Sequence, residues 1–316
     1  MRTITPMRSP ARKATDPRMA DSNTPRPRKS PEELAAMLVT LLDVEEIDTD
    51  LYRGARQPGG VGRVFGGQVI AQALQAAQRS AEGKAAHSLH AYFMRAGDEA
   101  RPIVYRVVRD FDGKSFATRR VIATQGGQPI LNMAASFQVA EEGLQHQDAM
   151  PEVPAPEDLK SDSELRAEIA HEVPEKFQNL FRDRQNPIDI RPISGRHWFK
   201  PIKGPPAQQA WFRTCAPLPD DPALHRAILS YASDMTLLGT CTLPHGVNWM
   251  THNLQSASLD HAVWLHEPFR ADEWLLYITD SPWAGHARGF NRGKIFSRDG
   301  RLVASCTQEG LIRVRE

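Results

Sequence analysis

The chain repeats itself at a fixed distance, and that repeat restricts its fold more than any other feature. Adding 172 to a residue number between about 90 and 138 reaches a plausible counterpart without a gap: Tyr105 falls on Tyr277, Phe111 on Trp283, Gly113 on Gly285, Arg120 on Arg292 and QGGQPIL on SRDGRLV. Both copies read as a helix followed by strands. In the first, FGGQVIAQALQAAQ at 65–78 is a Gly-Gly turn opening a helix, with Ile70, Ala73, Leu74 and Ala77 on a small-residue apolar face. Alternating, β-branched and aromatic text at 87–94, 102–109, 115–124 and 129–139 then predicts antiparallel strands between turn signals. In the second copy a strand at 209–218 precedes a helix at 224–238, and strands follow at 256–265, 274–279, 288–297 and 301–313. The expectation is an α+β chain of two units with their sheets side by side, each sheet curling round its own helix.

The repeat divides the 316 residues into an N-terminal unit at 31–140, a connector at 141–205 and a C-terminal unit at 206–316. Ahead of them, residues 1–30 hold six Arg, two Lys and five Pro against two Asp, with almost no large apolar side chains. Such a segment cannot bury enough surface to fold and is expected to be a disordered tail. Its prolines oppose the amphipathic helix of a transit peptide, and Met19 is an alternative start. Ser30, Pro31 and Glu33 in SPEEL predict a flanking helix opened by a capping box. The connector is acidic and proline-rich, with a short helix near 163–171 and a course over the surface.

A formal net charge of +1 gives no reason to expect nucleic acid or a membrane surface as partner. No apolar run approaches the roughly 20 residues that span a bilayer. Cys215, Cys241 and Cys306 are widely spaced and form no CxxC pair, which argues against a disulfide framework or structural zinc and fits a reducing cytoplasm. GxSxG, HExxH, GxxxxGK[ST] and a complete GxGxxG are all missing, and the histidines show no ligand pair on one helix face. Neither a metal nor a cofactor is expected.

On the second helix Ala227, Tyr231, Asp234 and Leu238 follow at spacings of four, three and four, so they share one face and Asp234 points inward. A buried carboxylate beside a cavity is what a general base requires, although a core hydrogen-bond network would bury an Asp equally well. Along the last strand Leu302, Ala304, Cys306, Gln308, Gly310 and Ile312 make one mostly apolar face, which aims the Gln308 amide where it needs partners. Ser258 lies in a strand that alternates less cleanly, where a small satisfied hydroxyl is the commoner outcome. Between Gly66 and Ala81 the first helix carries no acid, so the two halves can supply only one catalytic set of this kind.

Several separated motifs together resemble the acyl-CoA thioesterase II family, the TesB-type double-hotdog thioesterases. They are VFGGQVIAQAL, HSLHAYFMRAGD, SFATRRVIATQGGQPIL with AASFQ, YASDMTLL, SLDHAVWLHEPF with EWLLY, and ARGFNRG with DGRLVAS and TQEGLIR, spread from Glu32 to Val314. The resemblance implies two hotdog folds in one chain and hydrolysis of fatty acyl-CoA to free acid and CoA. Its active-site Asp falls on Asp234, its hydroxyl residue, often Thr, on Ser258, and its Gln on Gln308. Asp234 would then take a proton from a water that Ser258 and Gln308 orient, with no covalent nucleophile. Backbone N–H groups near Gly66 and Gly67 are candidates for the oxyanion, and His87 and His90 for lining the site, although two histidines on a strand are more often structural. A homo-oligomer, dimer or tetramer, is the expected assembly. The chain ends Val314-Arg315-Glu316 rather than in an SKL-type signal, so peroxisomal import is not expected. Two alternatives are a non-catalytic acyl-CoA-binding hotdog protein and a hotdog enoyl-CoA hydratase. The inward Asp234 and Gln308 oppose the first, and the lack of an Asp/His dyad on one hotdog helix opposes the second.

Overall fold

Ser30 opens a helix through a capping box, as the sequence predicts. In the computed structural model, which describes residues 28–315 other than 58, 59, 61, 174, 183, 195–198 and 200, it caps α1 (Pro31–Leu42). Its hydroxyl accepts from the Glu33 N–H at 3.2 Å, and the Glu33 carboxylate accepts from the Ser30 N–H at 2.7 Å. The rest of the expected tail, residues 1–27, lies outside the described residues.

The N-terminal unit continues through β1 (Val44–Asp48), β2 (Leu51–Gly54), α2 (Gly66–Arg79), β3 (Ala85–Phe93), β4 (Ile103–Asp112), β5 (Phe116–Gln125) and β6 (Gln128–Gln138). Strand β1 escapes the sequence reading because it buries only Val44 and so shows no alternation, and β2 because it is only 4 residues long. After β6 come α3 (Asp162–Ile169), α4 (Glu175–Arg182) and β7 (Ile188–Pro192). The expected connector is therefore not wholly draped over the surface: β7 buries Ile188, Ile190 and Pro192 on alternate positions and pairs with the next strand. The C-terminal unit runs β8 (Ala207–Thr214), α5 (Pro222–Ser233), β9 (Leu254–Ser258), β10 (Asp260–Leu265), β11 (Leu275–Gly285), β12 (Arg288–Ser297) and β13 (Leu302–Val314). Among the described residues no helix is long and apolar enough to cross a membrane.

Among the described residues all strands join one antiparallel sheet in the order β1-β2-β4-β5-β6-β3-β10-β13-β12-β11-β8-β7, with β9 beside β13. The two units meet at β3 and β10, where His90 pairs with Ala262. Those residues are 172 apart, so the pseudo-two-fold axis of the repeat passes between them. The spacing is not gapless, however. Ala123 pairs with Leu131 and its counterpart Ile295 pairs with Ala304, so the offset of 172 on β5 and β12 becomes 173 on β6 and β13. One extra residue in the β12–β13 turn accounts for the change, and it shifts which residues of the last strands correspond.

Helices α2 and α5 lie antiparallel in the grip of this sheet: Gly67 bonds Asp234 at one end, and Gln78 Nε2 donates to Ala223 O at 3.2 Å at the other. Small residues permit the approach. Ala71, Ala73, Ala76 and Ala77 are fully buried beside Ile70 and Leu74, and Ala227, Ile228 and Leu229 answer them from α5. Each large aliphatic chain so buried contributes about 1.5–3 kcal/mol to folding, and the alanines set how closely the two helices and the sheet can stand.

Candidate active site

Helix α5 ends at Ser233, and Asp234 is its C-cap at φ −80° and ψ −15°. The helix expected to run to 238 thus stops short, because the chain turns into a 3-10 segment at Leu238–His245. This changes the electrostatics of Asp234. The carbonyl end of a helix disfavours a carboxylate, whereas the N–H end favours one. Compensation comes from α2, whose Gly67 N–H donates to Asp234 Oδ2 at 2.8 Å.

Glycine is what lets the two helix ends meet. A Cβ on Gly66 would stand 2.8 Å from Asp234 Oδ2, and one on Gly67 would stand 2.5 Å from the Tyr231 carbonyl oxygen. Phe65, the N-cap residue of α2, closes the seam by packing edge-on against Tyr231 with ring centroids 5.0 Å apart. Burial pushes the Tyr231 hydroxyl up to about 12, so it stays a phenol.

The other oxygen of Asp234 belongs to β13. Gln308, fully buried, donates through Nε2 to Asp234 Oδ1 at 2.6 Å. The same nitrogen stands 3.1 Å from Ser258 Oγ and 3.2 Å from His261 Nδ1. Asp234, Ser258 and Gln308 are thereby brought together around a single amide nitrogen. Strand pairing explains how: β13 runs beside both β9 and β10, with Gly310 opposite Ser258 and Thr307 opposite Ala262.

His261 is the site residue that the sequence reading missed. It is fully buried, and its Nε2 lies 2.8 Å from Ser233 Oγ. The expected strand at 256–265 is in fact two strands broken at Leu259, so the inward face changes from even to odd numbers. His261, Val263 and Leu265 then alternate inward, a pattern visible in the sequence once the break is allowed. Burial pushes the His261 imidazole below its ordinary pKa, partly opposed by Asp234, and favours the neutral ring. Cys306, also fully buried, is pushed up to about 12 by burial and offers no thiolate.

His87 and His90 are not brought to this cluster. His87 Nε2 lies 2.8 Å from Ser136 Oγ and its ring packs on Phe116. His90 is exposed on the opposite face of the sheet, edge-on to Trp264 at 5.0 Å.

The mirrored place in the N-terminal unit has no comparable set. By strand register Ala86, Leu89 and Ala135 stand where Ser258, His261 and Gln308 stand, and α2 is capped by Ser80 where α5 has Asp234. Arg119 takes the place of Asn291. Its side chain is 1% exposed and donates to Ser80 Oγ at 2.8 Å, Ser80 O at 2.9 Å and the Asp112 carboxylate at 2.5 Å. Arg119 therefore ties down the Ser80 end of α2, where α5 carries Asp234.

A doubled sheet wrapped round two antiparallel helices, with a carboxylate at their seam, defines a double hotdog. Comparison with known proteins agrees. Residues 55–138 match the acyl-CoA thioesterase N-terminal domain, and residues 182–311 match the acyl-CoA thioesterase family. Acyl-coenzyme A thioesterase 8 of Homo sapiens is 40% identical over 294 residues, which cover 90% of this chain and 92% of the relative. Acyl-CoA thioesterase 2 of Haemophilus influenzae is 39% identical over 280 residues, 88% and 98% of the two chains. An acyl-CoA thioesterase II from Mycobacterium marinum, known from its crystal structure, superposes with a TM-score of 0.71 at 43% identity over 88% of this chain and 98% of that one. The chain belongs to the acyl-CoA thioesterase family.

Proposed function

We propose that this thioester hydrolase cleaves fatty acyl-CoA to free fatty acid and CoA with a water that Asp234 deprotonates. The observation that carries the reading is the single amide nitrogen of Gln308, which touches both Asp234 Oδ1 at 2.6 Å and Ser258 Oγ at 3.1 Å. Each carboxylate oxygen is fixed by one N–H donor and keeps a lone pair for a proton. Water attacks the thioester carbonyl as its proton passes to Asp234; the C–S bond then breaks, and the departing thiolate of CoA takes that proton back. Ser258 and Gln308 supply orientation, which converts an encounter with bulk water into attack by one held molecule. The Gly67 N–H is committed to Asp234, so of the two backbone donors named from the sequence Gly66 N–H is the one assigned to the developing oxyanion.

Cytoplasmic action belongs to the same proposal and is supported by Cys215, Cys241 and Cys306 all being unpaired thiols. So does a homo-oligomer, dimer or tetramer, supported by the exposed aromatic side chains of Tyr92, Phe111, Phe116 and Trp283.

The test is release of free thiol from a chain-length series of acyl-CoA substrates by the native protein and by Asp234→Asn. Asparagine keeps the size and removes the basicity, so the rate constant should fall by about two to four powers of ten while acyl-CoA binding survives. Thermal unfolding is measured on the same preparation. A variant that melts early yet hydrolyses acyl-CoA at the native rate per folded molecule would make Asp234 structural and sink the reading.

A further inference from the structure

We propose that His261 is a positioning residue: through its Nε2–H tautomer it fixes which way the Gln308 amide faces and so aims an N–H at Asp234. This rests on the reading of Asp234 as the base and assigns a role to a side chain which that reading does not use.

The number of protons available at Ser233, His261 and Gln308 fixes the tautomer. Ser233 Oγ stands 3.0 Å from Ser230 O and 2.8 Å from His261 Nε2. A hydroxyl has one proton and a backbone carbonyl can only accept, so Ser233 donates to Ser230 and must accept from His261 Nε2–H. Ser233 itself is held in place by Tyr277, whose hydroxyl donates to the Ser233 carbonyl at 2.8 Å. A neutral imidazole protonated at Nε2 presents a bare Nδ1, and that atom lies 3.2 Å from Gln308. Only the amide nitrogen can donate to it. One amide proton then goes to Asp234 Oδ1 at 2.6 Å, and His261 Nδ1 shares the other with Ser258 Oγ, which lies 3.1 Å from the amide nitrogen.

The reversed amide would set its oxygen against a carboxylate oxygen and a bare ring nitrogen, three acceptors with no proton between them. Nothing at the other end of the amide holds it, because Gln308 Oε1 is buried and accepts no hydrogen bond from the described residues. In the reversed orientation that oxygen could accept from the Ser258 hydroxyl, so the choice falls to His261 and Asp234 together. Burial, which favours the neutral ring, keeps Nδ1 an acceptor.

Selective 15N-histidine labelling near neutral pH reads the tautomer, with the His261 signal identified by its loss in His261→Asn. A protonated Nε2 and a bare Nδ1 are expected; a protonated Nδ1 or an imidazolium overturns the proposal. In kinetics His261→Leu should lower kcat by about 10- to 100-fold with little change in KM, the scale of misplacing a reacting group. His261→Asn, whose side-chain oxygen can stand where Nδ1 stood, should recover roughly tenfold of that loss, whereas His261→Gln, which reaches the Nε2 position instead, should not. On a Gln308→Ala background His261→Leu should cost less than about threefold, because it acts through the residue already removed. Equal losses for Asn, Gln and Leu, or full additivity with Gln308→Ala, would reduce His261 to packing and overturn the assignment. Asp234→Asn assayed alongside separates the failures. Activity surviving there defeats the base reading, while a dead Asp234→Asn beside an unaffected His261 series defeats only this inference.

Discussion

The Gly67 N–H and the Asp234 carboxylate are bonded at 2.8 Å although 167 residues separate them in the chain. The bond joins the first turn of one central helix to the C-cap of the other. The candidate base is thus completed only where the two units dock: the N-terminal unit gives the donor, and the C-terminal unit gives Asp234, Ser258, His261 and Gln308.

Substitutions at the helix seam should separate stability from activity. Gly67→Ala drives a methyl to 2.5 Å from the Tyr231 carbonyl oxygen, backbone that can yield only by moving α5. A loss of about 1–3 kcal/mol is expected, read from the urea midpoint at an unchanged m-value. Gly66→Ala instead meets the Asp234 carboxylate at 2.8 Å and the Phe93 ring at 2.9 Å, both side chains that can turn. It should retain more stability than Gly67→Ala and lose at least about tenfold in turnover through the displaced carboxylate. The reverse order of stabilities would contradict this account of the seam.

Ser258→Ala and Gln308→Ala should each lower turnover by less than Asp234→Asn does. Combined with Asp234→Asn, either should add little further loss, since groups that serve one water fail together. Double variants whose losses simply multiply would show that these residues act at separate steps.

Arg119 holds the N-terminal counterpart of the site together. Arg119→Met leaves the Ser80 carbonyl and hydroxyl without their donor in a buried place, so a destabilisation of about 2–3 kcal/mol is expected in denaturant titration. Thiol release per folded molecule should stay within about twofold of native, because Arg119 touches none of Asp234, Ser258 or Gln308. A collapse of turnover in a folded Arg119→Met protein would show that the N-terminal pseudo-site takes part in the reaction.

Stability should fall as pH drops below about 6.5, the ordinary pKa of histidine. Burial pushes His87, His225, His261 and His266 below 6.5 in the folded chain. The unfolded chain then binds protons first, so acid favours unfolding from near pH 6.5 down to the depressed folded values. Denaturant midpoints measured between pH 8 and 5.5 check the sign. A midpoint that rises over that interval would contradict it.

Much of this architecture is legible in the sequence because it rests on local periodicity. Ser30 and Glu33 announce α1 through the capping box, and the alternate buried residues Ala304, Cys306, Gln308 and Gly310 of β13 can be read from their spacing alone. The family resemblance carries Asp234, Ser258 and Gln308. Period-2 reasoning failed at Leu259, where a break in the strand moves His261 onto the inward face. It failed again at β1, an edge strand that buries a single side chain.

The sequence by itself determined two helix-and-strand units and which of them carries the acid, since patterns of apolar residues and the presence of a carboxylate are properties of neighbours along the chain. Only the tertiary structure decided that Asp234 caps its helix, that Gly67 rather than a side chain compensates its charge, and that Gln308 stands within reach of Asp234, Ser258 and His261 at once. It also decided that Arg119 bonds Ser80 at the N-terminal unit's counterpart of the site. Those outcomes depend on strand register and on the meeting of two helix ends, and contacts between residues 39 to 167 positions apart leave no periodic trace in the text that makes them.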